Sequence, residues 1–130
     1  MSIAQNHLIN SLASVRDEIN KILRINRGIK SIVISLNDGT PVLSSTNDLR
    51  VASLLAAVAT ALQNIAVRAG NLTNSGELKK IIAHYIRDKI IVVSANNNYN
   101  ILIRASSDAP LGIILRDIMI LVNKIKEINM

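Results

Sequence analysis

Apolar residues in the first third of the chain change from a helical spacing to a strand-like spacing. From Leu8 to Ile25 they recur every three or four residues, which predicts an amphipathic helix. The run Ile29–Leu36 is rich in β-branched residues and predicts a buried strand. A polar turn follows, so Thr40–Ser45 is expected to return as a hairpin partner. Pro41 predicts that this partner lies at a sheet edge, because proline has no N–H to donate.

A second helix is predicted next. Asn47 or Asp48 can cap its start, and Gly70 with Asn71 can end it. Its segment Val51–Val67 has no charged residue, and at about 100° per residue its large and small side chains separate onto opposite sides. The large side is interpreted as facing the core and comprises Val51, Leu54, Leu55, Val58, Leu62, Ile65 and Ala69. The small side is interpreted as a second buried surface, suited to close contact with another protein, and comprises Ala52, Ser53, Ala56, Ala59, Thr60, Gln63 and Val67.

Three strands and a last helix complete the predicted order. The strands are Leu78–Ile86, Ile90–Ala95 and Tyr99–Ala105. Ser107 or Asp108 is expected to cap the last helix, with Pro110 in its first turn. The order αββαβββα, with strands that are apolar on both sides, predicts an α+β fold built on a single five-stranded antiparallel sheet with helices on both faces. One domain over residues 1–130 is expected, because the length and the apolar content suit a single core.

Composition excludes several classes of protein. The chain has no cysteine, which excludes disulfides, thiolate zinc sites and a cysteine nucleophile, and a cytoplasmic location is expected. The net charge is +6, but the 15 basic residues are dispersed and the only aromatic residues are Tyr85 and Tyr99, so no nucleic-acid partner is predicted. The apolar run Val51–Val67 is shorter than the roughly 20 residues of a membrane span and contains polar side chains, so no integral membrane segment is predicted.

No catalytic or cofactor-binding constellation is found in the sequence. His7 and His84 are far apart, and neither has carboxylates at a metal-ligand spacing. The glycines form neither of the phosphate-binding motifs GxGxxG and GxxxxGK. The chain is therefore predicted to be no enzyme and to hold no cofactor and no metal.

The order of elements and four motifs together resemble the roadblock/dynein light chain domain family, which includes regulators of small Ras-like GTPases. The motifs are GIKSIVISLNDGTPVLSS at Gly28–Ser45, LLAAVATAL at Leu54–Leu62, GELKKIIAHYI at Gly76–Ile86 and PLGIILRDI from Pro110. The resemblance covers nearly the whole chain. It implies a roadblock, profilin-like sheet that carries the middle helix on one face and both terminal helices on the other.

The resemblance also implies partners. Members of the family commonly dimerise by pairing the third strand edge to edge and packing the middle helices side by side. The matching dimer interface in this sequence is Ala52, Ala56, Ala59, Gln63, Lys79, Ile81, Ala83 and Tyr85. Members that regulate GTPases bind them on the same dimer surface, and the matching residues are Arg50, Ser53, Ala57, Thr60, Asn64 and Arg68. The implied partners are a second copy or a roadblock-fold relative, and a small Ras-like GTPase.

The sequence is compatible with three hypotheses of function. The leading hypothesis is a homodimeric, non-enzymatic scaffold that recruits a small GTPase or modulates its GTP cycle, for example as a GTPase-activating protein. The alternative is a structural adaptor of a larger complex, whose binding does not depend on nucleotide. A basic binder of nucleic acid or of a membrane surface is a third hypothesis, disfavoured because the charge is scattered.

Overall fold

Three helices and five strands follow one another in a computed structural model that describes residues 2–128. They are α1 (Ile3–Ile25), β1 (Ile29–Leu36), β2 (Pro41–Ser44), α2 (Leu49–Leu72), β3 (Lys80–His84), β4 (Asp88–Ser94), β5 (Tyr99–Ser106) and α3 (Leu111–Lys126). The strands form one antiparallel sheet in the order β2-β1-β5-β4-β3. The predicted fold class is confirmed, and β2 lies at an edge as Pro41 indicated.

The two terminal helices pack side by side on one face of the sheet. Lys124 Nζ donates to Ser14 Oγ at 3.0 Å, and Asn26 Nδ2 donates to Asp117 Oδ2 at 3.2 Å, so α1 and α3 run antiparallel. Between them and the sheet lies the main core, whose fully buried side chains include Ile19, Ile32, Ile91, Ile103, Ile118 and Leu121. This face therefore holds most of the buried apolar side chains.

The middle helix covers the opposite face of the sheet. There Ala59 packs with Val92 and Leu102 in a second, smaller apolar cluster. The helix begins at the predicted cap, since Asp48 Oδ1 accepts hydrogen bonds from the backbone N–H groups of Arg50 and Val51. The division of the helices between the two faces is the one that the family resemblance implied.

Two predicted helix boundaries are wrong. The last helix has Pro110 at its N-cap and no side-chain cap, so neither Ser107 nor Asp108 caps it. The second helix continues through Gly70 and Asn71 and ends at Leu72, with Thr73 as its C-cap. Gly28 lies after the first helix: a Cβ atom there would lie 2.7 Å from Ala109 Cβ, so its missing side chain lets the start of β1 approach the loop before α3.

The predicted orientation of α2 is also wrong. Ala52, Ala56 and Ala59 are only 2%, 0% and 0% exposed and pack toward the sheet, while most of the large apolar side chains point away from it. The physical reason is that the strands beneath α2 already supply large side chains such as Val92 and Leu102. Small residues on the helix let its backbone approach them closely, so the small side of α2 is the core side.

Candidate protein-binding surface

The rotation of α2 over the sheet is fixed by a chain of buried and half-buried polar side chains. Gln63 Oε1 accepts a hydrogen bond from Asn100 Nδ2 at 3.0 Å, and Gln63 Nε2 donates to Ser94 Oγ at 3.2 Å. Ser35 Oγ in turn donates to Asn100 Oδ1 at 2.6 Å. Both Ser35 and Asn100 are fully buried. Because a buried polar group without a partner is costly, this network holds the Gln63 side of α2 against the sheet.

The opposite side of α2 exposes large apolar side chains. Leu54, Val58 and Ile65 are 58%, 42% and 69% exposed, and Val51 is exposed beside them. These four residues, which lie on neighbouring turns of one helix side, are called the apolar stripe below. Exposed apolar side chains grouped in this way are typical of surfaces that bind another molecule.

The apolar stripe continues toward an open edge of the sheet. Leu55 and Leu62 are half-buried, and together with the half-buried Ile81 and Ile90 they pack against the buried cluster of Ala59, Val92 and Leu102. β3 pairs with β4 on one side only, so its other edge presents unpaired backbone N–H and C=O groups. The apolar stripe and the edge strand β3 together form one surface, called the α2–β3 face below.

Half of the predicted dimer interface lies elsewhere. Ala52, Ala56 and Ala59 are buried within the chain, so the prediction that they contact a second helix is wrong. Gln63 is also directed inward, because its amide bonds to the strands under α2. These four positions hold α2 on the sheet, and the helix side available to a partner is the apolar stripe.

The strand part of the predicted interface lies on the α2–β3 face. Ile81 and Ala83 are half-buried on the side of β3 that faces α2, as their pairing with Val92 and Ile90 shows. Lys79 precedes the strand and is exposed, and Tyr85 follows it with 56% of its surface exposed. That a partner contacts these four residues stays a prediction.

Five of the six predicted GTPase-binding residues share the outer side of α2. They are exposed, lie next to the apolar stripe, and comprise Arg50, Ser53, Ala57, Asn64 and Arg68. Thr60 is different, because it turns toward the β1–β2 hairpin: a Cβ atom on Gly39 would lie 3.5 Å from Thr60 Oγ1. That hydroxyl is buried without a hydrogen-bond partner, so Thr60 is not presented to a docking protein.

The residues that sequence reasoning missed are those of the apolar stripe. Leu54, Val58 and Ile65 were interpreted as core, because large side chains usually are. Both sides of this charge-free helix suited burial, so periodicity alone could not decide between them. Gln63 is the one residue that could have indicated the orientation, because a polar side chain on the sheet side of α2 needs polar partners on the strands. Ser94 and Asn100 are those partners.

At the end of the sheet where β1 and β4 begin, one carboxylate lies between two basic side chains. Asp88 accepts from Lys30 Nζ and from Arg104 Nη1, the latter at 3.2 Å. The hydrogen bond from Lys30 holds the pKa of Asp88 below its ordinary value, and the positive charge of Arg104 adds to this effect. Within residues 2–128 no cluster of three metal-ligating side chains occurs.

α2 is long and apolar enough to cross a membrane when judged by length and composition. A single helix of this kind is weak evidence for a span. Its alanine side is buried against the strands, as Ala56 and Ala59 show, and Gln63 joins it to them by hydrogen bonds. These contacts place the helix in the folded domain.

The chain was compared with known families and structures. The profile of the family described as "Mitogen-activated protein kinase kinase 1 interacting" matches residues 13–129. No curated protein matches the sequence. A roadblock/LC7 domain from Streptomyces avermitilis superposes with a TM-score of 0.81 at 17% identity, covering 86% of this chain and 94% of that one.

Two further similar structures are MglB proteins. Myxococcus xanthus MglB gives a TM-score of 0.79 at 10% identity, covering 89% of this chain and 87% of that one. A structure described as "MglB with tetrameric arrangement" gives 0.62 at 14% identity, covering 98% and 91%. At such identities the likeness shows the fold, and the chain has the roadblock fold that its motifs indicated.

Proposed function

The chain belongs to the family described as mitogen-activated protein kinase kinase 1 interacting, and we propose on this premise that it is a non-enzymatic regulatory scaffold. It associates with a second copy or with a relative of the same fold, and it binds a small Ras-like GTPase. Through that contact it recruits the GTPase or modulates its GTP cycle.

The observation that carries the proposal is the α2–β3 face. Leu54, Val58 and Ile65 expose a large apolar surface beside an unpaired strand edge. Exposed apolar side chains are costly to leave in water, and a free strand edge is open to uncontrolled pairing with other chains. A single folded partner that adds a strand to the edge and packs a helix on the stripe would cover both. A face of this kind is suited to protein binding.

Further support comes from the polar part of the outer side of α2. Arg50, Asn64 and Arg68 lie beside the apolar stripe and can donate hydrogen bonds to a docked protein. Interfaces commonly combine an apolar centre with such a polar rim. Structural neighbours that include MglB and a tetrameric arrangement of MglB are consistent with association between copies of this fold.

The family description favours a second candidate function, a structural adaptor. The name of the family refers to a kinase kinase and to no GTPase. An adaptor would use the same α2–β3 face to join a larger complex, and its binding would not depend on the nucleotide state of any partner.

The two functions are separated by capture of partners from an extract of the cells that express the protein. The tagged full chain is incubated with GDP or with a non-hydrolysable GTP analogue, and bound proteins are identified by mass spectrometry. The regulatory proposal expects a Ras-like GTPase that is enriched in one nucleotide state. Recovery of the same non-GTPase partners in both states would contradict it and support the adaptor.

A further inference from the structure

The end of the sheet where β1 and β4 begin brings together segments that are far apart in the sequence. The backbone N–H of Ser106 donates to the carbonyl of Gly28 at 2.8 Å, and that of Ser107 donates to the carbonyl of Arg87 at 2.9 Å. The end of α1 and the starts of α2 and α3 lie here as well, because loops of only three or four residues join these helices to β1, β2 and β5. The segments 24–31, 45–51, 84–89 and 104–117 form this end of the molecule, which is called the basic end below.

The basic end carries most of the net charge of the chain. Its four segments contain eight basic and four acidic side chains, a net charge of +4 out of +6 for the whole protein. Three more residues at either bound of each segment add only one further charge, that of Lys21. The basic side chains are Arg24, Arg27, Lys30, Arg50, Arg87, Lys89, Arg104 and Arg116, and the acidic ones are Asp48, Asp88, Asp108 and Asp117. Charges that are scattered along the sequence are therefore gathered by the fold.

Four arginines of the basic end have no ion pair within residues 2–128. They are all exposed and comprise Arg24, Arg27, Arg50 and Arg87. Most of the nearby carboxylates already have partners within the chain, since Asp88 and Asp117 are in ion pairs and Asp48 caps α2. These four residues, called the unpaired arginines below, present positive charge that another molecule can neutralise.

Large apolar side chains protrude beside the unpaired arginines. Ile86, Leu49 and Ile25 are 96%, 79% and 66% exposed, and each is next in sequence to one of these arginines. Tyr85 precedes Ile86 in the turn after β3 and is exposed as well. The three apolar side chains come from three separate element ends, so each one is a single projection.

This combination fits the surface of a membrane better than the surface of a folded protein. A folded partner would need a matching cavity for each projection, because the centres of protein interfaces are closely packed. A lipid surface is fluid, so separate apolar side chains can enter it while basic side chains bind anionic headgroups. Arginine and tyrosine suit this position, because each has an apolar body and a polar tip that stays in contact with water.

We propose that the basic end docks on a membrane surface that contains anionic phospholipids. Ile25, Leu49 and Ile86 enter the headgroup layer, and the unpaired arginines bind the anionic groups of the lipids. Most of the α2–β3 face, including Val58 and Ile65, lies further along α2. The proposal therefore goes beyond the proposed function and does not depend on the protein partner.

Sedimentation of the full chain with vesicles tests the proposal. Vesicles of phosphatidylcholine, with or without phosphatidylserine, are mixed with the protein at low and at physiological NaCl, and the partition coefficient is measured. We expect binding only to the vesicles that contain phosphatidylserine, and we expect salt to weaken it. R24E/R27E/R87E should bind at least about a hundredfold more weakly at physiological NaCl, because each basic side chain near an anionic surface strengthens binding about fivefold. This variant leaves Arg50 unchanged, since that residue also lies beside the apolar stripe.

A matched control reverses three exposed charges at the opposite end of the sheet. K79E/K80E/K126E has the same change in net charge. The eight residues of β1 span about 26 Å, which is several times the screening length of about 8 Å at physiological ionic strength. This control should therefore bind within about threefold of the wild type.

A second pair of variants tests the apolar contact. I86S should bind at least about tenfold more weakly than the wild type, because it removes an apolar side chain that the lipid covers. L72S changes a similarly exposed side chain at the far end of α2 and should bind like the wild type. Circular dichroism confirms that each variant is folded.

Three results would overturn the proposal. Absence of binding to phosphatidylserine vesicles even at low NaCl would exclude the membrane and leave an acidic protein as the occupant of the basic end. Equal weakening in the two triple variants would show an effect of net charge without a defined surface. Unchanged binding of I86S would refute insertion of the apolar side chains. None of these results depends on a GTPase or on dimer formation, so the proposed function is tested separately.

Discussion

Replacing Ala59 by leucine tests which side of α2 is the core side. Ala59 is fully buried and packs between Val92 and Leu102, which are also buried. Leucine adds three carbon atoms where no space is left, and such overpacking usually lowers the free energy of unfolding by about 1–3 kcal/mol. For a domain of this size that corresponds to a melting temperature lower by roughly 4 °C per kcal/mol.

The matched control is Ala57→Leu on the exposed side of the same helix. It makes the same chemical change with the same small loss of helix propensity, about 0.3 kcal/mol, and it meets no neighbour. Urea unfolding at one protein concentration, with both variants beside the wild type, measures the difference. We expect A59L to be at least about 1 kcal/mol less stable than A57L.

The reciprocal substitution Val58→Ala sharpens the test. Because Val58 is 42% exposed, its truncation should lower the free energy of unfolding by less than about 1 kcal/mol. Truncating a large apolar side chain in a core lowers it by about 2–5 kcal/mol. An A59L variant as stable as A57L, together with a strongly destabilised V58A, would refute the orientation of α2 and restore the one expected from the sequence.

Three further predictions concern the network under α2, the charged end of the sheet and the arginines of the outer helix side. Gln63→Leu should lower the free energy of unfolding in urea by about 1–3 kcal/mol, because it leaves buried partners without hydrogen bonds; an unchanged midpoint would contradict the role of the network. Asp88→Asn should be less stable than the wild type at pH 7. Because Lys30 lowers the pKa of folded Asp88, this stabilisation is full above the unfolded pKa of about 3.9 and is lost as the pH falls through the folded pKa. Urea unfolding should therefore show that the difference in free energy of unfolding between the wild type and D88N disappears in acid. A difference that persists in acid would argue against the ion pair. If the chain stimulates GTP hydrolysis, we propose that it does so through groups of the GTPase, so Arg50→Ala and Arg68→Ala should each leave the stimulated rate within about twofold at saturating regulator; a loss of tenfold or more would identify an arginine finger.

The fold was largely predictable because its signals are local and agree with one another. The β-branched run Ile29–Leu36 became β1 with unchanged bounds, and Pro41 placed β2 at an edge. Asp48 capped α2 as its side chain allows. The cap of α3 was wrong because Ser107 and Asp108 precede Pro110, which itself occupies the N-cap position.

The candidate binding surface was harder to predict because the exposed side of α2 depends on tertiary packing. A helix without charges gives no local sign of which side meets the sheet, and Ala56 and Val58 suit burial equally well by residue type. The choice is made by side chains distant in sequence, namely Val92, Leu102 and the polar pair of Asn100 and Ser94. The resemblance to a family implied an interface on α2 and β3, and the structure shows which side of α2 is exposed there.

The most direct test of the account compares Val58→Asp with Ile120→Asp in the nucleotide-dependent capture experiment. The two positions are 42% and 45% exposed, but Val58 lies in the apolar stripe on α2 and Ile120 lies on α3, on the other face of the sheet. Both variants should fold, because neither position is in the core. We predict that V58D loses the roadblock-fold partner and the Ras-like GTPase, while I120D retains both. Equal recovery by V58D and the wild type would contradict the claim that the α2–β3 face is the binding surface.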